Sequence, residues 1–125
     1  MKKVISTPNA PAALGPYSQA IEVNGMVFLS GQLPIDPSTG EFVPGGIKEQ
    51  TLQVFKNIEA VLKEANLTMD NIVKTTVLLA DIDSFAEMNE VYAAQFSSYF
   101  PARSTFAVKT LPKNADIEIE VIAAR

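Results

Sequence analysis

"ADIEIEVIAA", residues 115–124, alternates acids with branched aliphatics and closes on small apolar residues. Side chains on a strand point to opposite faces in turn, so Ile117, Ile119 and Val121 share one face while Asp116, Glu118 and Glu120 share the other. A strand of this kind belongs to a sheet covered on one side only. It predicts a layered α+β arrangement, with helices against the isoleucines and the acids on the uncovered face.

Working outward, the other elements fit that plan. "KKVIS" (2–6) is a short apolar-centred strand that stops at the loop "TPNAP". "AIEVNGMVFLSGQLPI" (20–35) reads as two strands around Asn24 and Gly25, a pair that tolerates the positive φ of a tight turn and predicts a hairpin over 19–32. "DPSTGEFVPGG" (36–46) reads as an exposed loop. From Ile47 to Asn66, Leu52, Phe55, Ile58 or Glu59, Leu62 and Ala65 recur at helical spacing and predict an amphipathic helix.

After a short turn that Thr68 is placed to cap, "IVKTTVLLA" (72–80) is a strand rich in β-branched residues. "DIDSFAEMNEVYAAQFSSYF" (81–100) predicts a second helix with Phe85, Met88, Tyr92, Phe96 and Tyr99 along one side, ended by Pro101. "STFAVKT" and the opening stretch supply the last two strands, joined by "LPKN". The expectation is one domain over residues 1–125, with a single mixed six-stranded sheet and two helices packed on one face.

"MVFLS" (26–30) and "TTVLLA" (75–80) carry apolar groups on both faces, too many for a sheet that meets water on its uncovered side. A partly apolar uncovered face marks an interface, and an oligomer is expected with the acids of the last strand near its subunit contact.

Bulk properties limit the chemistry. Ten basic against fourteen acidic residues give no positive field for phosphates, which argues against nucleic acid as a partner. No stretch approaches the roughly 20 apolar residues of a membrane span, and the apolar run after the first two lysines is too short for a signal peptide, so a cytoplasmic protein without membrane contact is expected. Cysteine and histidine are both absent. That removes thiol nucleophiles, the Ser-His dyad and the commonest metal ligands, leaving carboxylates, hydroxyls, amides, Lys and Arg.

Among these, Arg103 in "FPARSTFAV" (100–108) fits two readings: a surface ion-pair residue, or a planar fork that grips a small carboxylate through two parallel hydrogen bonds. Glu118 fits a solvated sheet face or an acid–base group whose pKa is moved by burial in an interface. Tyr17, Ser30 and Gly31 fit ordinary turn duties, and Asn89 a solvent-facing helix position. The glycines of 40–46 lack the Gly-Lys-Ser/Thr of a phosphate loop, and nothing near Lys3 or Lys74 recommends a Schiff-base amine. The Met and aromatic stripes of the helices read as core.

Taken together and in this order, "NAPAALGPYSQAI", "FLSGQLPIDPSTGE", "NIVKTTVLLADIDSFAEMNEVYAAQF", "FPARSTFAV" and "LPKNADIEIEVIA" closely resemble the RidA (YjgF) family over essentially the whole chain. The resemblance implies a chorismate-mutase-like α+β fold and homotrimers with ligand clefts between neighbouring subunits. It also implies hydrolysis of 2-iminopropanoate and 2-iminobutanoate to pyruvate and 2-oxobutanoate with release of ammonia, needing neither cofactor nor metal.

By that resemblance Arg103 is the carboxylate clamp and Glu118 the residue that positions or activates water. Tyr17, Ser30, Gly31 and Asn89 complete the cleft. Thr105 stands where many members carry cysteine; in the family picture its backbone carbonyl helps orient the water, and any thiol-based switch is lost. Other members have been described as translation inhibitors, chaperone-like proteins or regulators, so a non-catalytic binding trimer is the alternative function.

Overall fold

A computed structural model describes all of residues 1–125. Its main sheet is built from β1 (Lys3–Ile5), β2 (Ala20–Val23), β3 (Met26–Gln32), β6 (Ile72–Leu79), β7 (Ala102–Ala107) and β8 (Ile117–Ala124), in the order β1-β2-β3-β8-β6-β7. A separate two-stranded ribbon pairs β4 (Ile35–Asp36) with β5 (Glu41–Phe42). The helices are α1 (Ile47–Glu64) and α2 (Phe85–Ala93). The sheet is mixed: β6 and β7 run parallel, joined by the crossover that contains α2, and the other pairings are antiparallel.

The predicted hairpin forms where expected, because Asn24 and Gly25 take φ of 51° and 76° and turn the chain in two residues. The alternation of β8 is equally clear. Ile117, Ile119, Val121 and Ala123 are buried beneath the helices together with Val27, Leu29, Val77 and Leu79, while Glu118 and Glu120 stand on the other face. From α1 the core takes Val54, Phe55, Ile58, Val61 and Leu62, each essentially inaccessible and each contributing roughly 1.5–3 kcal/mol by burial.

Three local expectations need correction. Leu52 is 41% exposed rather than part of the α1 stripe, because at about 100° per residue it lies some 120° around the helix from Ile58; Val54 and Val61 take its place. The stretch 36–46 is not wholly a loop, since the carboxylate of Asp36 accepts bonds from the Ser38 N–H (2.9 Å) and hydroxyl (2.7 Å) and turns the chain back into β5.

The third concerns α2, which ends at Ala93, well before Pro101. There the Gln95 side chain donates to the Val91 carbonyl (3.0 Å), the acceptor that its own N–H would meet in a continuing helix, and that N–H turns to the Tyr92 carbonyl instead. Phe96 still packs on the core, but Tyr99 is 95% exposed and leaves the predicted stripe.

On the uncovered face the paired positions Val4, Ile21, Phe28 and Ile122 form one apolar row across β1, β2, β3 and β8. Phe106, paired with Leu78, adds a second apolar group there and is 49% exposed. No helix is long and apolar enough to cross a membrane.

Candidate active site

Glu118 sits at a local break in the sheet. Between Leu29 and Gln32 the β3–β8 register shifts, so Ser30 and Gly31 bulge beside β8. The Glu118 side chain fills the room this creates: a Cβ on Gly31 would come within 2.0 Å of Oε2 and 2.7 Å of the carboxyl carbon. Glycine at 31 is therefore what lets the Glu118 carboxylate occupy this place; a side chain there would displace it. Burial pushes the Glu118 carboxyl above its ordinary pKa, and the neighbouring Glu120 charge adds to the rise.

Around Glu118 opens a cavity of about 670 Å³ whose walls include Tyr17, Ser30, Gly31, Lys113 and Glu120. The Ser30 hydroxyl donates to the Ser18 carbonyl (2.6 Å), so its first duty is to stitch the loop that carries Tyr17 to β3. Tyr17 itself is 53% exposed, with its ring lying over Gly15.

Two buried amides that the sequence reading passed over hold the rest of the wall. Gln19 accepts from the Thr7 N–H (2.7 Å) and donates to the Thr7 (3.1 Å) and Pro11 (2.8 Å) carbonyls, which pins the loop before the cavity. Asn57 on α1 donates to the Leu33 (3.1 Å) and Ile35 (2.9 Å) carbonyls and anchors the ribbon on the far side. For Gln19 the signal is an amide beside chain that must loop; for Asn57 it is an amide in the interior of a helix, on the buried side with Val54 and Val61.

Arg103 lies elsewhere. It is inside β7 rather than before it, and it pairs with the wholly buried Thr75, so it stands on the helix side of the sheet. Glu118 pairs with Leu78 and stands on the uncovered side. Arg103 and Asn89 line a second, smaller cavity of about 380 Å³ together with Tyr92, Phe100 and Pro101, and it shares no residue with the first. The Arg103 Nη1 donates to Asn89 Oδ1 at 2.5 Å, and neither of the chain's two close ion pairs, Lys48–Glu90 and Arg125–Glu22, involves it.

Thr105 follows on the same face as Arg103, opposite Val77, with its hydroxyl buried and unpartnered; it lines neither cavity. The seven candidates thus form two groups on opposite faces: Tyr17, Ser30, Gly31 and Glu118 in one, Asn89, Arg103 and Thr105 in the other.

The family model described as endoribonuclease L-PSP matches residues 7–125. The chain belongs to this family. Within the L-PSP family, a RutC family protein of Aquifex aeolicus is 53% identical, covering 97% of this chain and 98% of that protein. A Mus musculus protein named 2-iminobutanoate/2-iminopropanoate deaminase is 48% identical over 100% of this chain and 93% of that one. Among solved structures, the Rid family protein YyfA from Yersinia pestis superposes with a TM-score of 0.98 at 53% identity, covering both chains fully. The L-PSP fold is thus the one predicted from the sequence: two helices on one mixed six-stranded sheet.

Proposed function

We propose that the protein is a 2-iminobutanoate/2-iminopropanoate deaminase, and that its active site forms where the Arg103 face of one subunit meets the Glu118 cavity of the next in a homotrimer. The observation that carries this reading is the placement of an uncommitted guanidinium and a partly desolvated carboxylate on opposite faces of one sheet. Neither half can bind and hydrolyse an imino acid alone, but two copies bring them together. The apolar row on the uncovered face supports such a contact, because a stripe of this kind is normally covered. Similarity over the full chain to relatives named as deaminases supports the chemistry.

The substrate is an iminium whose carbon is already electrophilic. Arg103, oriented by Asn89, receives the carboxylate through its free donors, which places the C=N bond over the partner's cavity. Water adds to the iminium carbon, giving a carbinolamine; its oxygen loses a proton as the C–N bond breaks, and the products are a 2-oxo acid and ammonium. Glu118, with its raised pKa, suits a group that takes a proton from the water and returns it to the departing nitrogen. Tyr17, Ser30 and Gly31 shape the pocket around the substrate; Thr105, which lines neither cavity, takes its water-orienting role from the family resemblance alone.

The test generates 2-iminobutanoate with a threonine dehydratase in the presence of semicarbazide and follows semicarbazone formation. Wild-type protein is expected to suppress trapping, Arg103→Ala to abolish suppression, and Arg103→Lys to recover little of it, because an ammonium cannot reproduce the fork. Unchanged trapping by folded wild-type protein would remove the deaminase reading.

A further inference from the structure

Arg103 is held without a counter-charge. Its guanidinium carbon lies 4.6 Å from the centre of the Tyr92 ring and 5.4 Å from that of Phe85. Phe85, Asn89 and Tyr92 are spaced four and three residues apart on α2, so they share one helical face, and that face meets the strand edge where Arg103 stands.

Tyr92 is itself fixed from three directions. Its hydroxyl is 2.7 Å from that of Thr75, and both residues are buried. Phe55 of α1 packs edge-on at 5.6 Å between centroids, and Phe96 lies at 5.1 Å. The Tyr92 ring thus has almost no freedom, and what it offers to Arg103 is a rigid electron-rich face.

We propose that Tyr92 and Phe85 form an aromatic seat that positions the Arg103 fork and leaves its charge for the substrate carboxylate, making both rings positioning residues of the reaction. The proposal rests on Arg103 being the carboxylate clamp. A carboxylate beside the guanidinium would fix it equally well but would compete with the incoming anion. Ring quadrupoles orient a cation without neutralising it. Thr75, paired with Arg103 on the adjacent strand, locks the ring that carries the guanidinium on the next layer, so strand register and ring position are set together.

The experiment measures the Kd for 2-oxobutanoate by calorimetry, alongside kcat and KM in the semicarbazide assay, well below each variant's Tm. Tyr92→Leu, which keeps an apolar side chain but removes the face, is expected to raise Kd and KM about tenfold while kcat changes less. Tyr92→Phe restores the face and most of the affinity. Phe85→Leu, on the outer ring, is expected to raise Kd about threefold, and it decides the matter if Tyr92→Leu does not fold. A role in packing alone would lower Tm and leave Kd within twofold, which would overturn the seat provided that Arg103→Ala abolishes binding. Binding that survives Arg103→Ala would instead overturn the clamp, and the seat with it.

Discussion

Glu118 shows how a single residue can work against the fold that carries it. Its side chain lies across Gly31 in a cavity wall, and burial holds its pKa above the value it has in the unfolded chain. The folded state therefore binds this proton more tightly than the unfolded state does, and stability falls as pH rises through the window just above the ordinary Glu value. Glu118→Gln should raise Tm at pH 7 relative to wild type, and the difference should shrink in acid below the usual Glu pKa, as calorimetry across that range would reveal. The same change should lower turnover by roughly 10²-fold or more with a smaller effect on 2-oxo acid binding. A variant that loses stability at neutral pH would contradict this account. The alternation of "IEIE" already assigned Glu118 to the uncovered face. Its seat on Gly31 was not visible, because a β-bulge depends on which strand becomes the neighbour.

Among the elements, those with strong periodicity were legible and those shaped by side-chain hydrogen bonds were not. The hairpin at Asn24 and Gly25, α1 and β8 follow directly from local pattern. The ribbon of β4 and β5 depends on the Asp36 turn and on Asn57, whose amide serves two carbonyls 22 and 24 residues away. Asn57→Ala would leave the buried Ile35 carbonyl without its amide partner, while the Leu33 carbonyl keeps the Ile35 N–H at 2.8 Å, and should destabilise the fold by about 1–3 kcal/mol in chemical denaturation. Because Leu33 and Ile35 also line the Glu118 cavity, KM should rise in the same variant. Unaltered KM would mean that the ribbon is not a wall of the working site. The early end of α2 has a similar origin, since Gln95 diverts a helical acceptor that no periodicity marks.

On the scale of the molecule, the placement of Arg103 and Glu118 on opposite faces makes a definite prediction about assembly. If each site takes its arginine from one subunit and its glutamate from the next, Arg103→Ala and Glu118→Gln are each inactive alone. In a trimer that contains both variants, one of the three interfaces joins two intact halves, so the mixed species should regain about a third of wild-type activity. Co-expression with two affinity tags, followed by assay of the mixed species, measures this. A mixed trimer no more active than its parents would place both residues in one subunit's site and exclude the shared cleft.

The sequence by itself determined the order of elements, the sidedness of β8, the apolar excess on the uncovered face and, through its motifs, the family. Each of these is written in local spacing, where a period of two or of 3.6 sorts side chains without reference to the rest of the chain. Only the tertiary structure decided that Arg103 and Glu118 face away from each other, that Tyr92 serves the guanidinium as well as the core, and that Gln19 and Asn57 hold the cavity walls. Those facts depend on the pairing of β6 with both β7 and β8, and on α2 lying across that edge. Contacts between residues far apart in the chain arise when strands choose neighbours, and no periodicity within a strand records that choice.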